Sequence, residues 1–538
     1  MRSRRTIAAA IAIASVLTVG SGCRQESPVK QPEDVITSPG PVSGGKPVLR
    51  VATNDNYFTG NSYKDQLPVW QEIEKRTGVQ IDWEVLPREQ FGDSIRLRLS
   101  KGTDLPDIFY IPDSDPVTLA GKGTIVPLDD LIAAHAPNIA AFLRDNPEID
   151  KKLRLADGKL YALASVVTGV AYTDPYGLMI RKDWLDRLGL QEPSTLDEWH
   201  AVLKAFKEND PNGNGLQDEI PLLPDLGLKG LKLFGSAVGG HLFYSDGFYP
   251  DADGTVKYEW LEPETKELVE WWRNLYAEGL LAPDFLTKSM DSFLSEVSAG
   301  RVGALNGFLN LRPKYELGNR QAGDPHAEWV MTAPPKAKDG SGFYEIYGPV
   351  SSWFGISSSS PNQELAIRWL DYIYASEEGS RIVNFGVEGL SYTMADGKPR
   401  FTEYATNHPD GLDLTRLLRS LGAMPTMPWI RADKGPLSFQ PQAMLESDPV
   451  GAELAKKVKP YLIPAISLTL PTPEEKETDA LYGAPLRAYV ESALARFITG
   501  ADQIDWERFN ATVASLGLNR VLEAKQRQYD RYRGAPAP

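Results

Sequence analysis

Apolar and polar positions change their period several times after residue 47, and each change predicts an element of secondary structure. Apolar, β-branched runs and stretches that alternate with period two indicate strands. Stretches with apolar residues three and four apart, such as the one between Pro68 and Thr77, indicate helices. The predicted order is strand 48–53, helix 68–77, strand 79–86, helix 91–100 and strand 107–111. Strands separated by such helices favour a parallel sheet in an α/β fold, with ligands at the carboxyl ends of the strands.

The first residues have the pattern of an export signal. Arg2, Arg4 and Arg5 precede an apolar run, 6–19, that is too short to span a membrane comfortably. Two small residues then lead to Cys23, the only cysteine of the chain. This ending resembles a bacterial lipobox, in which the cysteine is lipidated and begins the mature chain. The alternative is a plain secretory signal or a membrane anchor with an incidental cysteine.

The segment that follows Cys23 is predicted to be a flexible tether. Residues 24–47 are rich in Pro, Gly, Ser, Gln, Glu and Lys and contain no aromatic residue. Such a segment cannot bury enough apolar surface to offset the entropy lost on ordering. No later stretch holds about 18 uninterrupted apolar residues, so no transmembrane helix is predicted there. We therefore expect a folded body that is lipid-anchored at the extracytoplasmic face of the cell membrane.

Composition narrows the partners of this body. The 538 residues are 24% charged and 42% hydrophobic, which is typical of globular proteins and allows two or three folding units. The formal net charge is -15. Because nucleic-acid binding depends on basic surfaces, the charge argues against a nucleic-acid partner.

A series of short motifs extends in order along most of the chain after the tether. They include WQEIEKRTGVQIDWEVLP (70–87), LPDIFY (105–110), LMIRKDWLDRLGLQEPSTLDEW (178–199), AGRVGAL (299–305) and SPNQELAIRWLDYIYASEEGSRIVNFGVEG (360–389). Taken together, their order and spacing resemble the extracellular solute-binding lipoproteins of bacterial ABC importers. The similarity is to the large oligosaccharide-binding class, which includes alginate-binding proteins.

The resemblance implies a fold, a layout and a mechanism. The expected fold is α/β and periplasmic-binding-protein-like: two lobes, each a sheet flanked by helices, joined by a hinge that closes on a sugar. A monomer that delivers an oligosaccharide to ABC permease subunits in the membrane is implied. The expected layout is a signal peptide at 1–22, the lipidated cysteine and tether at 23–47, N-lobe parts at 48–166 and 346–415, and C-lobe parts at 167–345 and 416–538.

A loop after a predicted helix has the composition of a calcium site. Ca²⁺ takes six to eight oxygen ligands, and alternate residues of a tight loop point inward to supply them. The predicted ligands are Asp210, Asn212, Asn214, the backbone carbonyl of Leu216, Asp218 and Glu219, with Gly215 at the sharp turn. Pro221 stands where an EF-hand has its bidentate Glu, but the loop is similar to the calcium loop of alginate-binding and related proteins. The ion would be structural, and an ion-free surface turn is the alternative.

Sugar contacts are expected on loops at strand ends and near the hinge. Aromatic rings cover the C–H faces of sugars, and planar polar groups bind the hydroxyls. The candidates are Asn54, Tyr57, Tyr63, Tyr110, Asp113, Tyr172, Tyr176, Tyr347, Trp353 and Trp429. For each of them, ordinary packing is the competing interpretation.

Two other classes of function stay open at this stage. An extracellular carbohydrate-active enzyme would need two carboxylates that flank the scissile bond, and folding could assemble such a pair. A ligand-sensing subunit of a membrane receptor would share the binding fold. The five histidines show no metal-ligand spacing and accompany no nucleophile motif, so they are interpreted as structural. The family resemblance favours a non-enzymatic binder over both alternatives.

Overall fold

The computed structural model describes residues 46–55, 61–168, 175–346, 349–432 and 447–534, all within the structural unit Gly44–Pro538. Cys23, Tyr57, Tyr172 and Tyr347 lie outside the described residues. Lipidation and three of the expected sugar contacts therefore stay predictions.

The strands are short and spread over most of the described chain. They are β1 Val48–Asn54, β2 Gln80–Leu86, β3 Ile108–Tyr110, β4 Ala162–Val167, β5 Tyr176–Arg181, β6 Ile220–Leu223, β7 Phe248–Pro250, β8 Val256–Tyr258, β9 Val302–Phe308, β10 Trp329–Met331, β11 Tyr344–Ile346, β12 Val350–Ile356, β13 Tyr392–Ala395, β14 Lys398–Phe401, β15 Ile430–Arg431 and β16 Leu462–Pro464.

Helices separate most of these strands and supply the larger share of the fold. The α-helices are Pro68–Thr77, Arg88–Lys101, Pro116–Gly121, Asp129–His135, Pro137–Asp145, Pro147–Leu153, Lys182–Leu188, Leu196–Glu208, Leu228–Leu231, Pro263–Ala277, Met290–Ser298, Arg312–Gln321, Gln363–Ala375, Glu377–Phe385, Glu403–Thr406, Leu414–Ser420, Pro449–Val458, Pro473–Thr478, Ala484–Thr499, Trp506–Ser515 and Leu518–Arg533.

The first sheet has six strands in the spatial order β15-β4-β12-β3-β1-β2. β1 pairs in parallel with β2 and β3, whereas β12 is antiparallel to both β3 and β4. The sheet is therefore mixed, not purely parallel as the alternation predicted. The reason is the route of the chain. The chain leaves the sheet at the carboxyl end of β4 and returns at the neighbouring end of β12, so these two strands run in opposite directions.

The second sheet has the order β10-β5-β9-β6 and packs into a large apolar core. Its helices pack so closely that β9 needs a glycine. A Cβ on Gly303 would clash with Cδ2 of Phe206 and would lie 2.9 Å from Cζ3 of Trp184. We call the first sheet with its helices the first lobe, and the second sheet with its helices the second lobe. The predicted α/β class with two sheet-based lobes is confirmed.

The chain passes between the sheets three times: between β4 and β5, between β11 and β12, and after β15. The third passage differs from the expected layout, which assigned 416–538 to the C-lobe. β15 pairs in parallel with β4, and Leu421 accepts a hydrogen bond of 3.0 Å from the backbone of Val69. The chain therefore stays with the first lobe as far as Arg431. A two-residue strand has no sequence period, so only packing decides which sheet it joins.

The lobes also touch through side chains. Lys476, in the helix Pro473–Thr478, pairs with the carboxylate of Asp115 and donates a 2.7 Å hydrogen bond to Oγ1 of Thr118. Tyr532, in the last helix, donates a hydrogen bond of 3.1 Å to Oε2 of Glu148. These contacts join the last helices of the second lobe to helices of the first.

Candidate functional site

A cavity of about 330 Å³ lies between the two lobes, near the carboxyl ends of β9 and β15. We call it the interlobe pocket. The second lobe lines it with the start of the helix Arg312–Gln321 and of the helix Pro449–Val458, and the first lobe with the start of the helix Leu414–Ser420. Its lining includes Leu309, Asn310, Arg312, Lys314, Asp413, Thr415, Met424, Arg431, Asp448 and Ala452. Because both lobes supply walls, a molecule held there would contact both at once.

A polar cluster lies beside the pocket on the second sheet. Tyr176 at the start of β5 donates a hydrogen bond to the carboxylate of Asp225, and Asn306 on β9 donates to both. Burial raises the pKa of Asp225 to about 6, although hydrogen bonds from Tyr176 and Asn306 oppose the shift. The cluster thus holds a carboxylate whose charge changes in the mildly acidic range.

Aromatic rings border this cluster. The ring of Tyr176 stacks on Phe243 at 5.1 Å and meets the ring of Phe308 edge-on at 4.9 Å. Phe308, the last residue of β9, is 42% exposed. An exposed ring beside polar groups is the combination that binds the apolar and hydroxyl faces of a sugar. Tyr176 is thus the expected sugar contact that the structure places in this cluster.

Two expected sugar contacts of the first lobe are packing residues. Tyr63 is 2% exposed, stacks on Trp83 at 4.8 Å and donates or accepts a 3.1 Å hydrogen bond with the hydroxyl of Thr426. Thr426 in turn donates to the backbone carbonyl of Asn54, which is also buried. Both residues hold the segment before β15 against β1 and offer little surface to a ligand.

The remaining described candidates are distributed along the strand ends of the first lobe. Tyr110 is half-buried, Trp353 is buried, and Asp113 is exposed and paired with Arg96 at 2.7 Å. Trp429 is half-buried, and the guanidinium carbon of Arg431 lies 4.4 Å from its ring centre. Among these, Trp429 is tied to a residue that lines the interlobe pocket.

Sequence reasoning missed most residues of the pocket and the cluster. Asp225 follows β6 by two residues, and Asn310 follows β9, so both stand at strand ends where polar side chains indicate ligand contacts. Lys314 and Asp413 carry no comparable signal, because each is an ordinary charged residue in the first turn of a helix or just before one. Only the packing of the lobes brings them to one cavity.

The predicted calcium loop is a tight turn built around Asp210. Its carboxylate accepts hydrogen bonds from the backbone N–H groups of Gly213, Asn214 and Gly215, at 2.8, 3.1 and 2.8 Å. Gly213 and Gly215 have φ of 73° and 78°, in the left-handed region that favours glycine. The side-chain amide of Asn214 donates to Asp218 at 3.0 Å. The loop therefore gathers the predicted oxygen donors around one turn.

Glu219 ends this loop with a carboxylate that is unpaired within the described chain. Both of its carboxylate oxygens are buried and have no hydrogen-bond partner among the described residues. Burial and the negative charges of Asp210 and Asp218 raise its pKa. No three His, Cys, Asp or Glu side chains of the described chain are placed to hold a metal by themselves. The loop adds oxygen donors from two Asn side chains and one backbone carbonyl to its carboxylates. A hard dication such as Ca²⁺ prefers such an all-oxygen set of ligands.

Two sheet-based lobes with a cavity between their strand ends define the class: a two-lobed binding protein. The chain belongs to the bacterial extracellular solute-binding protein family, whose profile matches residues 58–379. Its expected family is thereby confirmed. The chain is 26% identical, over 97% of each sequence, to the fructooligosaccharide ABC transporter substrate-binding protein FusA of Streptococcus pneumoniae.

Two further proteins are similar to this chain. Lipoprotein LipO of Bacillus subtilis is 25% identical over 66% of this chain and 69% of LipO. The structure of alginate-binding protein AlgQ2 without calcium ion superposes with a TM-score of 0.74 at 24% identity, covering 90% of this chain and 98% of AlgQ2. The family, FusA and AlgQ2 are binding proteins rather than enzymes. Across the described ranges, every helix is too short or too polar to cross a membrane.

Proposed function

We propose that this protein captures an oligosaccharide between its lobes and delivers it to the permease of an ABC importer. The relative that aligns over nearly the whole chain is a fructooligosaccharide substrate-binding protein of such a transporter, which supports the proposal. The observation that carries it is the interlobe pocket, which both lobes line at their strand ends. An extracellular enzyme is the less favoured candidate, because the family consists of binding proteins.

The mechanism is closure of the lobes on the ligand. A ligand that contacts both Phe308 and Arg431 would touch the second and the first lobe together. It would bind the closed arrangement more tightly than an open one, and that difference in affinity shifts the population towards closure. The closed arrangement is then the form that a permease recognises.

We also propose that the loop 210–219 holds a structural Ca²⁺. Asp210, Asn212, Asn214, Asp218, Glu219 and the carbonyl of Leu216 would supply its oxygens. The unpartnered, buried carboxylate of Glu219 supports the proposal, because a dication would offset its charge and supply the missing contact. The ion would stabilise the loop and take no part in sugar binding.

We further propose that lipidation of Cys23 anchors the protein at the extracytoplasmic face of the membrane. The lipobox-like sequence and the similarity to lipoprotein LipO support the anchor. Incorporation of labelled palmitate into the wild type, compared with Cys23→Ser, tests it. Equal incorporation into both would remove the proposal.

Isothermal titration of the purified protein with neutral and acidic oligosaccharides tests the binding proposal. We expect one class of sugar to bind and to be recovered intact. Phe308→Ala should weaken binding about tenfold or more if the exposed ring covers a sugar face, because truncating an aromatic contact commonly has that effect. Leu97→Ala is the matched control, since Leu97 is an exposed apolar residue on the first-lobe helix Arg88–Lys101 and does not line the interlobe pocket.

Two results would contradict the proposal. Recovery of a cleaved sugar would replace binding by enzymatic action. Absence of binding to every sugar tested would leave the fold in place and remove the carbohydrate assignment.

A further inference from the structure

The charges that line the interlobe pocket differ from those of the protein as a whole. The chain carries a formal net charge of -15. Among the described residues that line it, the pocket nevertheless presents three cationic side chains and two carboxylates. The cations are Arg312, Lys314 and Arg431, and the acids are Asp413 and Asp448. Local cationic excess in an acidic protein points to a ligand with negative charge.

Both carboxylates of the pocket are already engaged by the protein. Asp448 accepts hydrogen bonds from Arg312 at 2.7 Å and from the backbone N–H of Gly451 at 3.0 Å. Asp413 accepts a 2.9 Å hydrogen bond from the backbone of Arg416 and pairs with its guanidinium at 3.3 Å. The acids therefore hold helix starts and neighbouring arginines in place. The charge of Asp413 also acts on Lys314, but from beyond ion-pair distance.

Lys314 is a pocket cation that forms no ion pair within the part of the chain that the structure describes. It lies half-buried in the first turn of the helix Arg312–Gln321, and no described carboxylate is within ion-pair distance of it. Burial and the positive charge of Arg416 lower the pKa of its ammonium group, and the charge of Asp413 opposes the shift. A bound anion would add to the effect of Asp413, because an opposite charge favours the protonated form.

The two arginines add to this arrangement from opposite lobes. Arg312 is 6% exposed, and its two terminal nitrogens pair with Glu316 and Asp448. Its Nε–H is buried and has no partner within the described ranges. Arg431 comes from the first lobe, where its guanidinium lies over the ring of Trp429. The pocket thus combines a lysine, a buried guanidinium edge and an aromatic-supported arginine.

We propose that the interlobe pocket recognises a carboxylate carried by the sugar ligand, and that Lys314 contacts it. Arg312 and Arg431 add positive electrostatic potential around the ammonium group of Lys314. The inference rests on the proposed function and narrows it to acidic oligosaccharides such as oligouronides. A volume of about 330 Å³ is at the lower end of small-ligand sites, so it accommodates one end of such a chain. Since both lobes supply cations, the carboxylate would also favour closure.

Titration calorimetry with matched sugars tests the proposal, with the calcium concentration kept equal in every arm. The acidic probes are trigalacturonate and trimannuronate, and their methyl esters are the same sugars without the charge. Maltotriose and kestose are the neutral probes. We expect an acidic trisaccharide to bind at least about tenfold more tightly than its methyl ester, because hydrogen bonds to charged groups are the stronger ones.

Lys314→Met removes the charge and keeps most of the side-chain length. It should weaken binding of the acidic probe about tenfold and leave binding of its methyl ester within about twofold. Arg320→Met is the matched control, because Arg320 lies on the same helix, is exposed, and makes only a 3.9 Å contact with Glu316. Both variants change the net charge equally, so a difference between them reports the local contact.

The outcomes separate the inference from the proposed function. Binding of a neutral trisaccharide but of neither acidic probe would overturn the inference and leave the function standing. Equal losses in Lys314→Met and Arg320→Met would overturn the role of Lys314. Binding of no sugar in any arm would overturn the proposed function and the inference with it.

Discussion

Calcium removal is the perturbation for which the structure gives the sharpest expectation. The carboxylate oxygens of Glu219 are buried, have no hydrogen-bond partner in the described ranges, and lie in the field of Asp210 and Asp218. A Ca²⁺ ion in the loop would convert this repulsion into attraction and would bind only the folded chain. The ion should therefore raise the free energy of unfolding by mass action.

The size of the effect follows from that linkage. At a free Ca²⁺ concentration about 100 times the dissociation constant, the stabilisation is about 2.7 kcal/mol. For a cooperative unit of about 200 residues, this raises the melting temperature by roughly 5–10 °C relative to EDTA. Differential scanning calorimetry of the purified protein, in EDTA and in Ca²⁺, measures the shift directly.

Glu219→Gln separates a bound ion from a general salt effect. This variant should lose most of the Ca²⁺-dependent shift, and in EDTA it should melt no lower than the wild type, because the repulsion with Asp210 and Asp218 is gone. Glu208→Gln, an exposed acid just before the loop, should keep the full shift. Equal shifts in the wild type and Glu219→Gln would refute the reasoning, as would no shift in the wild type.

Two further predictions concern the cluster beside the pocket and the contact between the lobes. Burial raises the pKa of Asp225 from 3.8 to about 6, so the folded state holds this proton more tightly than the unfolded state. The free energy of unfolding should then fall by roughly 3 kcal/mol as the pH rises from about 4 to 6. Urea unfolding over this pH range should show the decrease in the wild type and not in Asp225→Asn. The same pH dependence in both proteins would contradict the raised pKa of Asp225. Lys476→Met removes the ion pair with Asp115, in which both side chains are partly exposed. Such pairs contribute about 0–1 kcal/mol, so the ratio of closed to open molecules should drop by up to about fivefold. Fluorescence energy transfer between labels on the two lobes measures this ratio. An unaltered distribution of interlobe distances would contradict a role of the Lys476–Asp115 pair in holding the lobes together.

The features that the sequence alone determined are those whose causes lie within a few neighbouring residues. The period of apolar positions predicted β1, β2 and the helix Pro68–Thr77 to within a residue or two, because burial of one face dictates that period. The loop 210–219 was visible for the same reason, since its oxygen donors and glycines belong to one turn. Its occupancy by calcium stays a prediction.

Tertiary structure alone decided where distant segments meet. Lys314 and Arg431 are separated by more than a hundred residues and have no shared pattern, yet they line one cavity. β12 runs antiparallel to its neighbours and β15 joins the first sheet. Both outcomes depend on the end of the sheet at which the chain returns from the second lobe. Tyr63 looked like a ligand contact because it follows a strand, but Trp83 and Thr426 enclose it. Such outcomes depend on the packing of whole lobes, which local sequence does not encode.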